Sequence, residues 1–538
     1  MIRNVRPWLL VSLLAACARP APAPAPPPRG PVTLTLVGTN DLHGFVLDKD
    51  GAGGLPLLAG YLANLRAGGR PVLLVDGGDA FQGTLESNLN EGKMVVDCYA
   101  RLGYDAMAVG NHELDFGPVG PDVAPRKPGD DPRGALKARI AEARFPILSA
   151  NLVDEAGVPV AGTSTIVDRG GVRIGIVGLT TEETPQSTLA ANFRGLHMLS
   201  LADTASAEAA RLRAAGAEVV IVTVHAGAKC GDPAIEATCA GELVDAAPRI
   251  HGVDAIIAGH THAPVATRLS GIPTIESYSY GRAFGRIDLT VDSGRVTAAK
   301  IYPTEDVRAG ATYEGKPVVA DAAVAAMIRP YADTARARRE ERLGVRVPVR
   351  IRKAYDLESP LGNVFVDLMQ ATRPGVDGAM SNGGALRTDL PAGDLTYGVL
   401  FEMFPFDNMV AEVKLTGADV RRIVQINLES GKSILSLAGL RARARCGTGL
   451  EIALARPDGR PVRDDEVLTI VTSDFLATGG NDGAFKVLPA GAVTGEDGVL
   501  VREEIARLLR ARGGELRGDD DTGKPRLAYP GTRPVRCP

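Results

Sequence analysis

The sequence predicts an α/β protein with layered sheets, divided into two domains by a connecting helix. Three observations carry this reading. From residue 32 to about 300, short Val/Ile/Leu runs alternate with Ala-rich helical stretches, the pattern of strands and helices packed in layers. A polar, Arg-rich stretch around 310–345, AVAAMIRPYADTARARREERLG, interrupts that alternation and reads as a helix, bent at Pro330. A second α/β region then runs from 346 to 538. The chain has 538 residues, 45% hydrophobic and 23% charged, enough to bury more than one core. The boundaries drawn are 1–16 and 17–31 for an N-terminal leader and spacer, 32–308 for the first domain, 309–345 for the linker and 346–538 for the second domain.

The leader is an address. Arg3 and Arg6 precede an apolar stretch, Trp8 to Ala16, too short to span a bilayer as a helix. It ends Leu14-Ala15-Ala16-Cys17 and resembles a bacterial lipoprotein signal, in which Cys17 carries the lipid. The following ARPAPAPAPPPRGP is an extended, semi-rigid spacer that would hold a domain off the membrane. Export to the periplasm or an outer-membrane anchorage fits the other cysteines. Cys230 and Cys239 lie close together and invite a local disulfide, Cys446 and Cys537 a longer one, and Cys98 sits in a helical pattern as a free core thiol. A net charge of −4 without long runs of one sign argues against a nucleic-acid partner, and a monomer is expected.

The apolar runs of the first domain, in order, are LTLV at Leu34, VLLV at Val72, AMAV at Ala106, IGIVGL at Ile174, VVIVTV at Val219 and AIIA at Ala255. Five of them end in polar clusters. These are Asn40-Asp41-Leu42-His43, Asp76-Gly77-Gly78-Asp79, Asn111-His112-Glu113-Leu114-Asp115, His225-Ala226-Gly227 and His260-Thr261-His262. Carboxyl ends of strands in an open α/β sheet form the crevice where ligands bind. Imidazole, carboxylate and amide oxygen arriving there suit zinc, manganese or iron. His197 and His251 lack such neighbours and read as surface histidines. Gly431-Lys432-Ser433 lacks the upstream glycine of a phosphate loop, and the charges from Arg336 to Arg342 read as a solvated helix face.

The series D-x-H, G-D, G-N-H-E, H-x-G and G-H-x-H resembles the calcineurin-like metallophosphoesterases. The fuller forms TNDLHG, DGGDAFQGT, GNHELDFG and GHTH, with ESPLGNVFVD, SNGGALR, FPFDN and SDFLATGG further on, resemble its 5′-nucleotidase branch. That resemblance implies a four-layer αββα first domain and a C-terminal α/β substrate-binding domain. It implies two divalent metal ions, zinc, manganese or similar. Asp41, His43, Asp79 and His262 would hold the first; Asp79, Asn111, His225 and His260 would hold the second, with Asp79 bridging. Such ions polarise phosphoryl oxygens and activate water for in-line displacement. His112, oriented by Asp115, would protonate the leaving oxygen or stabilise developing charge, while Asp76 and Glu113 would make supporting contacts.

The same resemblance implies substrate contacts from Arg387, Phe475 and Asp482. Two departures stand out. Gly479-Gly480-Asn481-Asp482-Gly483 holds one residue more than the usual GGDG, so Asn481 competes with Asp482 for the acid's place. Ile434 stands where a second aromatic should stack on the base, which would leave one face of the base uncovered and favour Ile434→Phe as a gain in affinity. The activity implied is hydrolysis of nucleoside 5′-monophosphates, and of UDP-sugars or other small phosphoesters. Alternatives are a 2′,3′-cyclic phosphodiesterase or thiosulfate-ester hydrolase on the same scaffold. A non-catalytic surface binding lipoprotein is a further alternative.

Overall fold

The computed structural model describes residues 30–479, 485–489, 491–518 and 524–537. In the first domain the strands are β1 (Val32–Thr39), β2 (Val72–Asp76), β3 (Ala106–Ala108), β4 (Ile147–Leu148), β5 (Ser164–Arg169), β6 (Val172–Thr180), β7 (Val219–His225), β8 (Ala255–Ile257), β9 (Pro264–Leu269), β10 (Ile272–Ser277), β11 (Ala283–Asp292) and β12 (Arg295–Ile301). They form two sheets, ordered β12-β11-β1-β2-β3-β4 and β9-β10-β8-β7-β6-β5. The central strands are parallel, as βαβ crossovers require; three of the four edges are antiparallel hairpins, and edge strand β4 pairs parallel with β3.

The period of two along each strand explains the stacking. In β1, Leu34 and Leu36 face the other sheet and join Leu73, Val75, Ile176, Ile221 and Ile257 in one buried layer. Val37 and Leu74 face outward and are covered by helices α1 (Leu55–Arg66) and α2 (Lys93–Leu102). On the far side Val220, Val222 and Val224 of β7 pack under α3 (Leu201–Ala214). The result is helix, sheet, sheet, helix: the αββα arrangement. The central strands of both sheets are buried on both faces, so they read as continuous apolar runs. In α2, Met94, Val95, Cys98, Tyr99 and Leu102 repeat at helical spacing on the buried side, and Gly103 at φ 77° ends the helix in the left-handed region.

Helix α4 (Ala322–Glu340) follows; Asp321 caps it by accepting from Ala323 and Val324 N–H. At the Arg-rich end of α4, Arg336, Glu340 and Arg342 are solvated as the alternating charges suggest, whereas Arg338 and Arg339 are engaged by both domains. Arg339 grips Glu86 of the first domain through two bonds of 2.6 Å, and Arg338 lies 3.9 Å over the Tyr397 ring of the second. Partners this distant in sequence decide burial where local patterning does not. The second domain has a sheet ordered Leu435–Ala438, Gly378–Asn382, Val467–Ser473, Met409–Thr416, Val493–Leu500. Helices Pro360–Ala371 and Gly417–Glu429 flank it, the latter started by a Thr416/Asp419 capping box. Disulfides join Cys230 to Cys239 and Cys446 to Cys537, and Cys98 is a buried free thiol. No helix among the described residues is long and apolar enough to cross a membrane. Cys17 lies outside the described residues.

Candidate dimetal centre and the cavity beside it

The polar residues that follow β1, β2 and β3 meet those that end or follow β7 and β8, so both sheets feed one site. The ligand atoms of Asp41, His43 and His262 lie within 4.8 Å of one another, as do those of Asp79, His225 and His260. Asp79 stands between the groups: its Oδ2 is 3.0 Å from His225 Nε2 and 3.8 Å from His43 Nε2. Asn111 Oδ1 is 3.0 Å from His225 Nε2.

Neighbouring groups fix how these side chains point. Gln82 and Gly77 carbonyls accept from Nδ1 of His43 and His225, at 2.8 and 2.9 Å, which leaves each Nε2 lone pair facing the centre. Asp41 Oδ2 accepts from Asn40 Nδ2 and His260 N–H, whereas its Oδ1 is buried with no hydrogen-bond partner. A buried carboxylate oxygen left over, with imidazole nitrogens around it, fits a divalent cation; without one it carries a full desolvation cost.

The backbone is strained here. Asp41, His43, Asp79, His260 and His262 all have positive φ, between 49° and 80°. Non-glycine residues adopt this region rarely and at a cost, and it clusters at functional sites. Gly110 meets a different need: a Cβ there would overlap the Asp79 carboxylate and its backbone nitrogen. Glu113 holds the Asp79 turn by accepting from Asp79, Ala80, Phe81 and Gly110 N–H. Asp76 accepts from Thr39, Tyr99 and Gly78, and burial pushes its carboxyl up to about 7. Under the His260-Thr261-His262 turn Glu276 does similar work for Thr261 and Ala228.

Beside the centre, His112 Nδ1 donates to Asp115 Oδ2 at 2.5 Å. Burial opposes a charge on His112, but Asp79 and Asp115 outweigh it and raise its pKa to about 9. Cations bound beside Asp79 would oppose that pull, so the Asp115 contact is the part that belongs to the pair itself.

His112 and Asp115 open into a cavity of about 460 Å³ between the two domains. Across it stand Arg387 and Phe475, with Tyr355 and Phe406. Arg387 sits 4.8 Å over the Phe406 ring. Asp482 and Asn481 lie outside the described residues. Ile434 does not face the cavity: it is 1% exposed in a core with Met380, Leu428 and Phe485. Its N–H donates to the Tyr355 carbonyl, and Tyr355, 51% exposed, lines the cavity with Phe475, 40% exposed. The exposed ring nearest in the chain path to Ile434 is that of Tyr355, which lines the cavity. Phe406 was visible within FPFDN but carried no assigned role; Tyr355 had no motif to mark it.

Residues 34–264 match the calcineurin-like phosphoesterase family and residues 337–490 the 5′-nucleotidase C-terminal domain. The chain carries a calcineurin-like phosphoesterase domain followed by a 5′-nucleotidase C-terminal domain. Such a chain is a metal-dependent phosphoester hydrolase. The phosphoesterase is similar to the 5′-nucleotidase of Vibrio cholerae, 26% identical over 531 residues, covering 89% of this chain and 91% of that one. It is 27% identical over 468 residues to endonuclease YhcR of Bacillus subtilis, covering 83% of this chain but spanning only 37% of that longer protein. The fold matches the crystal structure of a 5′-nucleotidase precursor from Thermus thermophilus with a TM-score of 0.67 at 24% identity, covering 92% and 99% of the two chains.

Proposed function

We propose that this protein hydrolyses nucleoside 5′-monophosphates to nucleoside and phosphate, and accepts related nucleotides such as UDP-sugars. One observation carries the reading. A single cavity joins the His112–Asp115 pair, beside the ligand groups, to Arg387 and exposed aromatic rings of the second domain. A phosphate at one end and a flat base at the other would fill it. Asp41, His43, Asp79 and His262 would hold one divalent ion, and Asp79, Asn111, His225 and His260 a second. With both bound, the site gains Lewis-acid activation of water and of the phosphoryl oxygens. His112 then holds a proton at Nε2 for the leaving oxygen, Asp115 keeps that ring oriented, and Arg387 binds the anion. The division at 32–308, 309–345 and 346–538 assigns ion binding to the first domain and base recognition to the second.

Product analysis tests this reading: phosphate release from AMP, UMP and an aryl phosphate, and monophosphate formation from UDP-glucose and a 2′,3′-cyclic nucleotide. AMP and UMP should be cleaved with the highest kcat/KM; cleavage of the cyclic or aryl substrate alone would contradict it.

Tyr355 and Phe475 form the proposed base clamp. Base–aromatic stacking contributes about 1–3 kcal/mol per ring in single-strand binding proteins, so Tyr355→Ala should raise KM for AMP about tenfold and leave the aryl phosphate nearly unchanged. Ile434→Phe should not improve affinity. It overfills a packed core, at about 1–3 kcal/mol, and should lower Tm while KM stays put. Thermal unfolding and steady-state kinetics on both variants decide the point.

We also propose export and lipid anchoring through Cys17. Wild type should partition with membranes, and Cys17→Ser should prevent lipidation and leave either uncleaved precursor or soluble protein; stable anchoring takes more than one acyl chain. Equal partitioning into the aqueous phase would contradict the anchor.

A further inference from the structure

The segment Thr184–Phe193 carries two single-turn helices, Thr184–Ser187 and Ala190–Phe193. It grips the active centre at several points. The Ser187 carbonyl accepts from Asn111 Nδ2 at 3.0 Å, which turns Asn111 Oδ1 towards His225. The Thr188 hydroxyl and Leu189 N–H donate to Asp115 Oδ1, at 2.7 and 3.2 Å. That leaves Oδ2 for His112. Fully buried Asn192 donates to the Leu114 and Val123 carbonyls at 2.9 and 2.8 Å.

On its other side the segment meets the second domain. Leu189 is buried against Ala124 and Met409, with Leu500 beside them. Met409 directly follows Phe406-Asp407-Asn408, three residues that line the cavity. Its N–H donates to Asp474 Oδ1 at 3.0 Å, and the same oxygen accepts the Phe475 N–H at 2.8 Å. The cavity-facing turns of the second domain thus converge on the residue that shares a buried cluster with Leu189.

We propose that Thr188 is a positioning residue for the His112–Asp115 pair, and that the apolar cluster of Leu189, Ala124 and Met409 couples the seating of the second domain to the orientation of that pair. The inference rests on the hydrolase reading above. A carboxylate with two donors on one oxygen keeps one rotamer, and its other oxygen then holds the imidazole in one plane. Leu189 contributes one of those donors from its backbone, so displacing its side chain displaces the donor too. An enzyme built this way turns over fastest when the second domain is seated on its substrate and on Leu189 together.

Thr188→Val keeps the shape and removes the hydroxyl. It should lower kcat about tenfold or more with KM and metal content unchanged, as loss of an outer-shell partner does elsewhere, and Thr188→Ser should restore it. Wild-type kcat in Thr188→Val overturns the positioning role. Met409→Ala should also lower kcat, and the double variant should fall little further than the worse single; fully additive losses would overturn the coupling. Met409→Leu, which keeps the bulk, should behave as wild type and so separates a lost contact from a lost fold. Backbone amide exchange in the full chain gives a readout without turnover. Residues 184–193 should exchange several-fold faster in Met409→Ala while β7 stays protected. Unchanged exchange defeats this inference; a wild type inactive on every phosphoester defeats the hydrolase reading instead.

Discussion

His112→Ala should lower kcat by about 10²–10⁴-fold while KM changes little and both ions stay bound. The imidazole contributes no atom to either ligand group, and its backbone N–H, which donates to Asp79 Oδ1 at 2.9 Å, survives the substitution. What is lost is the proton held for the leaving oxygen. A leaving group that departs without protonation should therefore be less affected than a nucleoside. Comparing kcat for AMP and for an aryl phosphate with an acidic phenol measures this difference. Equal losses on both would assign His112 to charge stabilisation instead, and near-wild-type turnover on AMP would remove the pair from the reaction.

Asp79→Ala should abolish hydrolysis and lower metal content together. Its carboxylate lies between the two ligand groups, and its Oδ1 also accepts the His112 N–H. One change thus removes the bridge and releases the turn that carries His112 and Asn111. Removing it also takes away the carboxylate facing His225 and His43, so addition of excess zinc or manganese should not restore turnover. Metal analysis beside a phosphate-release assay on the same sample checks both halves.

Much of this centre was legible because its chemistry and its fold share one pattern. Each ligand type follows an apolar run and stands beside glycine, as at Asp79 after VLLVDGG and His260 after AIIAG. The strands at and next to the sheet edges were harder to see. β11 and β12 alternate apolar and polar residues without a functional residue at their ends, and β4 is two residues long. The clamp could not be read from pattern alone. Ile434 adjoins Leu435–Ala438, a strand buried on both faces, so alternation does not reveal which side chain reaches the cavity. Tyr355 reaches it from a loop with no regular period, tied to Ile434 through a backbone hydrogen bond. Arg338 and Arg339 look solvated in sequence because Glu86 and Tyr397, which engage them, lie on either side of the linker.

The central claim is that two ions sit among these seven ligands and are required for hydrolysis. The direct measurement is the metal content of the purified protein, taken together with its rate on AMP before and after chelation. The account predicts about two divalent transition-metal ions per chain, loss of phosphate release when they are removed, and recovery with zinc or manganese. Phosphate release at the full rate from protein stripped of metal would contradict it.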